Sequence, residues 1–252
     1  MNASLEGRAA FISGAGHGIG RATALEMARL GATVGVNDLK PEFVEDTVAE
    51  IRRLGGKAIS LPQDVSTRQG MRDAVLRFAR EAGRLDVMVN NAAWVRYQPL
   101  AEITPEVMDR MVEIGFKSVI WGIQAAAEAM DPERGGSIVN VASIAAFKSP
   151  GRSVVYSGLK AGVLGITRAA AADLGARRIR VNAVAPGAVP TEGTAKHRNA
   201  ELDAKRIART PLGRLGTVED IADAICYLAG DGSRFINADV LRLDGGASET
   251  SL

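Results

Sequence analysis

Seven short apolar runs recur along the chain: AAFIS (9–13), TVGVND (33–38), KAISL (57–61), LDVMVNNAA (85–93), SIVNVAS (137–143), RIRVNAVAP (178–186) and ADVLRLDGG (238–246). Within each run apolar positions follow one another with little interruption. A strand with one wet face alternates apolar and polar residues; a strand covered on both faces need not, so the pattern predicts parallel strands sandwiched between helices. Longer helix-like segments lie between the runs. RATALEMARLG closes on Gly31, and PEFVEDTVAEIRRLGG opens with Pro41 in a first-turn position and stops at Gly55. TPEVMDRMVEIGFKSVIWGIQAAAEAM, from Thr104 and Pro105 onward, reads as one long helix. Strand–helix alternation of this kind predicts an α/β fold with a doubly wound parallel sheet and helices on both faces. No linker, repeat or low-complexity tract interrupts it, so residues 1–252 read as one domain. The least regular stretch, residues 187–216, is polar, carries several Gly and Pro, and reads as a mobile loop with short helices.

Composition narrows the classes. With 252 residues and 46% hydrophobics the chain can bury a full core. A formal net charge of +2 and no basic stripe argue against a nucleic-acid partner; ARRIR (Arg177, Arg178, Arg180) reads as a solvated helix end. Cys226 is the single cysteine, so no intrachain disulfide forms, and its place in IADAICYLAG suits a small buried side chain. With two histidines beside it there is little material for a zinc site, and no metal is expected. No charged-then-apolar leader precedes AAFIS and no apolar run approaches 18 residues, so a cytoplasmic protein without a membrane span is expected.

Three features carry chemistry. The first strand runs into SGAGHGIGRATALEMARLG, where Gly14, Gly18 and Gly20 fall between strand and helix, with His17 and Ile19 in the same turn. Bare backbone there lets a pyrophosphate approach the unpaired N–H groups and positive dipole end of the helix. A sharp strand–helix turn also favours glycine without any ligand, and the spacing is G-x-x-x-G-x-G, not the usual dinucleotide fingerprint. Second, Asp38 ends the second strand at about the ~20-residue distance where an acid meets the adenosine ribose hydroxyls. A carboxylate repels a 2′-phosphate, no arginine follows directly, and His17 is not a Lys or Arg. This favours NAD(H) over NADP(H), with Lys40 as the one nearby cation. Third, in VYSGLKAG, Tyr156 and Lys160 stand four residues apart, on one helix face if the segment is helical. The spacing alone leaves open whether they are packing residues or an acid and its tuner.

With these pieces in place the chain resembles the short-chain dehydrogenase/reductase family nearly end to end. The likeness is carried by SGAGHGIG, Asp64–Val65, NNAA at 90–93, Ser143 in NVAS, YSGLK, RVNAVAPG and LRLDGG, with Ser143 thirteen residues before Tyr156. The resemblance implies a Rossmann-type fold and an NAD(H)-dependent oxidoreductase that interconverts a secondary alcohol and a ketone. It implies Ser143, Tyr156 and Lys160 as catalytic residues, adenine contacts at Asp64 and Val65, and cofactor support at Asn90. Nicotinamide would meet the backbone of Val189 and the hydroxyl of Thr191. A free phenol titrates near pH 10, and a cation within about 4–6 Å favours phenolate, so Lys160 and oxidised nicotinamide are expected to lower the pKa of Tyr156. Ser143 would hold the substrate oxygen. The family commonly forms tetramers, and small residues in the second of its contact helices (Ala161, Gly162, Gly165, Ala169) permit close packing, so a homotetramer is expected by analogy.

Some positions depart from the pattern. The family's usual asparagine in the long helix aligns with Gly115 in IGFKS, whose backbone carbonyl could still serve a proton relay; Ser13 replaces threonine and Ala93 replaces glycine. The pocket should take its lining from Trp94, Tyr97, Ala145 and Phe147 with parts of 191–210, though packing accounts for Trp94 equally well, and Trp121 reads as core or interface. Two other readings stand beside the dehydrogenase: a non-redox enzyme of the epimerase or dehalogenase kind on the same fold, and a nucleotide-sensing binding protein without turnover.

Overall fold

The expected strands form one parallel sheet in the computed structural model, which describes residues 4–193 and 199–250. They are β1 (Ala9–Ile12), β2 (Thr33–Asp38), β3 (Lys57–Pro62), β4 (Val87–Asn90), β5 (Gly136–Val141), β6 (Ile179–Pro186) and β7 (Val240–Leu243), in spatial order β3-β2-β1-β4-β5-β6-β7. Ile12 of β1 lies between Val36 of β2 and Val89 of β4. The chain steps outward from β1 to β3, then returns to the other side of β1 with β4. The order therefore reverses between β1 and β4, and a crevice opens beyond their carboxyl ends.

The helices are α1 (Gly18–Arg29), α2 (Pro41–Arg53), α3 (Arg68–Ala82), α4 (Pro105–Val112), α5 (Ser118–Ala129), α6 (Val154–Leu174), α7 (Ala200–Ala208) and α8 (Val218–Ala229). Strand residues alternate between the two sheet faces, and here both faces are apolar. Phe11 and Met88 point into a core shared with Phe78 of α3, Ile123 of α5 and Val163 of α6. Ile12, Val87 and Val89 point into the opposite core with Met27 of α1, Ile51 of α2 and Ile225 of α8. This is why the strands read as unbroken apolar runs. Phe11 and Phe78 meet edge to face at 6.0 Å, a geometry worth about 0.5–1.5 kcal/mol beyond burial. Trp121 packs at the margin of the first core, and Cys226 is buried in the second.

Two regions differ in detail from the sequence pattern. The long helix is not continuous: α4 gives way to a π turn, Glu113–Lys117, before α5 begins. Buried Gly115 lies at its centre, where poor helix propensity makes a break cheap, and the Ser118 hydroxyl donates to the Ile114 carbonyl across it at 2.6 Å. Within 187–216, α7 is the expected short helix, capped by the Asn199 side chain, whereas residues 194–198 lie outside the described residues. Among the described residues, no helix is long and apolar enough to cross a membrane.

Candidate active site

The glycine turn is held open by its own neighbours. Gly14 and Gly18 adopt φ of +65° and +56°, a left-handed region that suits glycine. A side chain on Gly20 would strike the Gly14 carbonyl, one on Gly14 would come within 2.9 Å of Ala92 Cα, and one on Gly16 within 2.8 Å of the Asp38 carboxylate. The turn is stapled to the end of β4 by Asn91, whose Nδ2 donates to the Ser13 and Gly14 carbonyls, both at 2.9 Å. Ser13 Oγ accepts from the backbone N–H of Asn91 and Ala92 at 3.0 and 3.1 Å, so its hydroxyl serves the two amides that follow β4. The sequence pattern singled out neither residue for this work. Asn90 points elsewhere: its Nδ2 donates to Asn140 Oδ1 at 2.8 Å, and it is buried against Gly122 in the sheet interior.

Asp38 closes the other side of the crevice. Its Oδ2 accepts from Gly16 N at 3.2 Å and its Oδ1 from Lys40 N at 3.3 Å. The Lys40 ammonium is drawn over the Phe43 ring, 5.0 Å from its centroid, and His17 meets the same ring edge-on. Bare backbone, left-handed glycines and a carboxylate at the end of β2 make a cradle that fits a dinucleotide. Of the other expected contacts, Ile19 packs against the α1 core, Val65 is buried beside Met71, and Asp64 accepts from Ser66 N at 2.9 Å. Val189 packs under Gly216, and Thr191 lies over Gly18. Glu192, which no sequence motif marked, accepts from Gly18 N at 3.1 Å.

The second cluster is set by α6. Lys160, Val163 and Thr167 share the face turned to the sheet, and Thr167 accepts from Asn140 Nδ2 at 2.9 Å, completing a buried chain from Asn90 through Asn140 to α6. This registers α6 against β5, which delivers Ser143 just beyond its end. The Ser153 and Ser157 hydroxyls, 2.8 Å apart, fix the first turn of α6 around Tyr156. The Ser143 side chain lies close enough to the Tyr156 phenol to lower its pKa, and Lys160 Nζ sits 5.9 Å from the Tyr156 ring centroid. All three expected catalytic side chains are therefore brought together.

Their electrostatics differ from the sequence expectation. Burial pushes the Tyr156 phenol up to about 12, the Tyr97 phenol pushes the same way, and only the Ser143 side chain opposes them. Burial likewise brings Lys160 down to about 8. The expected lowering of the phenol by Lys160 does not arise among the protein's own groups. The ammonium is committed to the Val141 carbonyl at 2.7 Å, and both groups pay for leaving water.

Gly115 stands in the π turn facing α6, and a Cβ there would meet Leu159 Cδ1 at 3.5 Å, an ordinary contact. Gly115→Asn is therefore expected to fold normally and to leave kcat within about threefold. Each pathway change of that size is below ~1 kcal/mol of barrier. A steady-state comparison checks this, and a much larger gain would show that glycine impairs proton relay.

The expected pocket residues are only partly convergent. The Tyr97 ring stands edge-on to Tyr156, with centroids 5.7 Å apart, and burial raises its phenol pKa. Ala145 is buried and its N–H donates to Ser143 Oγ at 3.1 Å. Phe147 is exposed beneath Arg242, and Trp94 lies under the guanidinium of Arg110 of α4 at 4.4 Å, which ties it to the outer wall. The part of 191–210 expected to line the pocket includes 194–198, outside the described residues.

Comparison with known proteins agrees with this arrangement. Residues 14–248 match a family model described as enoyl-(acyl carrier protein) reductase. The chain is 38% identical over 243 residues to a 3-oxoacyl-[acyl-carrier-protein] reductase of Thermotoga maritima, covering 96% of this chain and 98% of that protein. It is 37% identical over 247 residues to cis-4-hydroxycyclohexanecarboxylate dehydrogenase of Sinomonas cyclohexanicum, covering 98% of both. Among solved structures, a 7α-hydroxysteroid dehydrogenase complexed with NADH and 7-oxo glycochenodeoxycholic acid superposes with a TM-score of 0.94 at 31% identity, over 98% of this chain and 96% of that one. Sheet order, glycine turn and full-length similarity together make this chain a member of the short-chain dehydrogenase/reductase family of oxidoreductases.

Proposed function

We propose that the protein is an NAD(H)-dependent dehydrogenase interconverting a secondary alcohol and its ketone, with proton transfer at Tyr156 Oη. The observation that carries this reading is the convergence of Ser143, Tyr156 and Lys160 at the end of β5, one crevice away from the Asp38-lined glycine turn. A bound nicotinamide nucleotide supplies hydride exchange and, when oxidised, a positive charge. Ser143 holds the substrate oxygen and stabilises the charge that grows on it. Tyr156 takes or gives the hydroxyl proton, and Lys160 holds the nicotinamide ribose while fixing α6 to Val141. Tyr97 forms the wall beside Tyr156. Asp64 and Val65 belong to the adenine side, Asn90 supports the cofactor crevice from within the sheet through Asn140, and Val189 and Thr191 belong to the nicotinamide side. Relatives that act on cis-4-hydroxycyclohexanecarboxylate and cyclopentanol support a cyclic secondary alcohol as substrate. We further propose a homotetramer working in the cytoplasm.

The test is absorbance at the reduced-nicotinamide band with NAD⁺ or NADP⁺ and a panel of cyclic secondary alcohols at alkaline pH. NAD⁺-dependent turnover is expected; nucleotide binding without turnover on any alcohol would favour a sensor. Asp38→Ala is expected to shift the NADP⁺/NAD⁺ ratio of kcat/KM by about 10- to 100-fold toward NADP⁺, the scale of losing one or two hydrogen bonds to a charged group together with a repulsive charge. An unchanged ratio would sink the assignment of Asp38.

A further inference from the structure

The carboxylate of Glu192 stands on the group that a diphosphate at the glycine turn would need. Its Oε2 accepts from the backbone N–H of Gly18, the first residue of α1, at 3.1 Å. The N-cap residue of that helix, His17, provides no side-chain cap, and the first turn of α1 contains no acid of its own. The unpaired amides and positive dipole end are served instead by an acid 174 positions away in sequence. The whole segment follows: Thr191 Cβ lies 3.3 Å from the Cβ position of Gly18, and the corresponding position on Gly193 lies 4.0 Å from His17 Cε1. Residues 191–193 thus lie across the turn. A carboxylate and a phosphate compete for the same N–H donors at a helix N-terminus, and they repel one another when both are near it.

Building on the NAD(H) reading above, we propose that Glu192 is a built-in competitor for the diphosphate of the dinucleotide. It caps α1 when no nucleotide is bound and is expelled when one binds. Its expulsion moves the segment that also carries Val189 and Thr191, so nucleotide entry and rearrangement of that segment become one event. The competing charge weakens binding and speeds release, a useful trade where release limits turnover.

The experiment is calorimetric titration of wild type, Glu192→Gln and Glu192→Ala with NADH, ADP-ribose and adenosine, alongside thermal melting without nucleotide. Both variants are expected to bind NADH and ADP-ribose about three- to tenfold more tightly, the scale of one charge at a helix terminus. Adenosine, which has no phosphate, should bind all three proteins alike. Without nucleotide the variants should melt at the same temperature or slightly lower, since a cap is lost. Tighter binding without added stability is a combination that a purely structural cap would not give. Unchanged or weaker ADP-ribose binding overturns the inference alone, as does an equal gain for adenosine. If no protein of the set binds any of the three ligands, the dinucleotide reading falls, and this inference with it.

Discussion

Tyr156→Phe is expected to lower turnover by about 10²–10⁴-fold, the usual worth of a positioned acid–base group, while the affinity for NADH changes by less than about twofold. The substitution deletes one oxygen at the floor of the cleft and leaves intact the ring, its edge-on contact with Tyr97 and the serine pair that fixes the start of α6. Ser143 keeps its bond to Ala145 N. Stopped-flow and steady-state rates, with NADH titration as the control, check the split between chemistry and binding. The pKa of the phenol adds a second readout. Since burial and Tyr97 hold it near 12, a difference-absorbance titration without nucleotide should show a transition well above pH 10 that Tyr156→Phe removes, distinct from that of Tyr97, whose phenol burial also raises. Adding NAD⁺ should bring that transition down, because the missing positive charge must then come from the cofactor. Turnover undiminished in the phenylalanine variant would end the proposed mechanism; a transition already near neutrality in the nucleotide-free protein would instead assign the activating charge to Lys160 and not to the cofactor.

Much of the fold is written in the sequence because each strand is covered on both faces: burial from two sides leaves apolar runs such as VMVN and SIVNV that are hard to read another way. The turn glycines and the Tyr156–Lys160 spacing are visible as local patterns, but what holds them is not local: Asp38 and Ala92 crowd the turn, and the Val141 carbonyl holds the ammonium. What stayed hidden depends on contacts between distant segments. The helical period runs on through residues 104–130, and only Gly115 marks the π turn. Asn91 and Ser13 look like ordinary polar residues until β1 and β4 are neighbours. Glu192 reaches its partner from the far end of the chain. The direction of the Tyr156 shift could not be read from spacing at all. One helical turn brings an ammonium near a phenol, but whether attraction or desolvation wins depends on the Val141 carbonyl that the ammonium faces and on how much water both groups have lost.

That balance makes Lys160 a residue that costs stability where the enzyme works. Its pKa falls from 10.5 to about 8 on folding, so between those values the unfolded chain binds more protons than the folded one, and stability rises with pH across that window. Above about 10.5 the penalty is gone; below about 8 it is paid in full, about 3 kcal/mol by the free energy of a shift this size. Lys160→Met keeps the length of the side chain and removes the charge, at the expense of leaving the Val141 carbonyl without its donor. Turnover is expected to collapse by about two orders of magnitude or more, as for the loss of any group that acts in concert with the acid. Stability should move the other way. Measured by urea unfolding, the variant's stability relative to wild type should be about 2–3 kcal/mol higher at pH 7 than at pH 10. The Tyr156 contribution has the opposite sign, present below pH 10 and lost as pH rises through about 12, but it is shared by both proteins and drops out of the comparison. A stability difference that is flat between pH 7 and pH 10 would mean that the ammonium is not desolvated in the folded protein. Such a result would leave it free to hold Tyr156 acidic without help from the nucleotide.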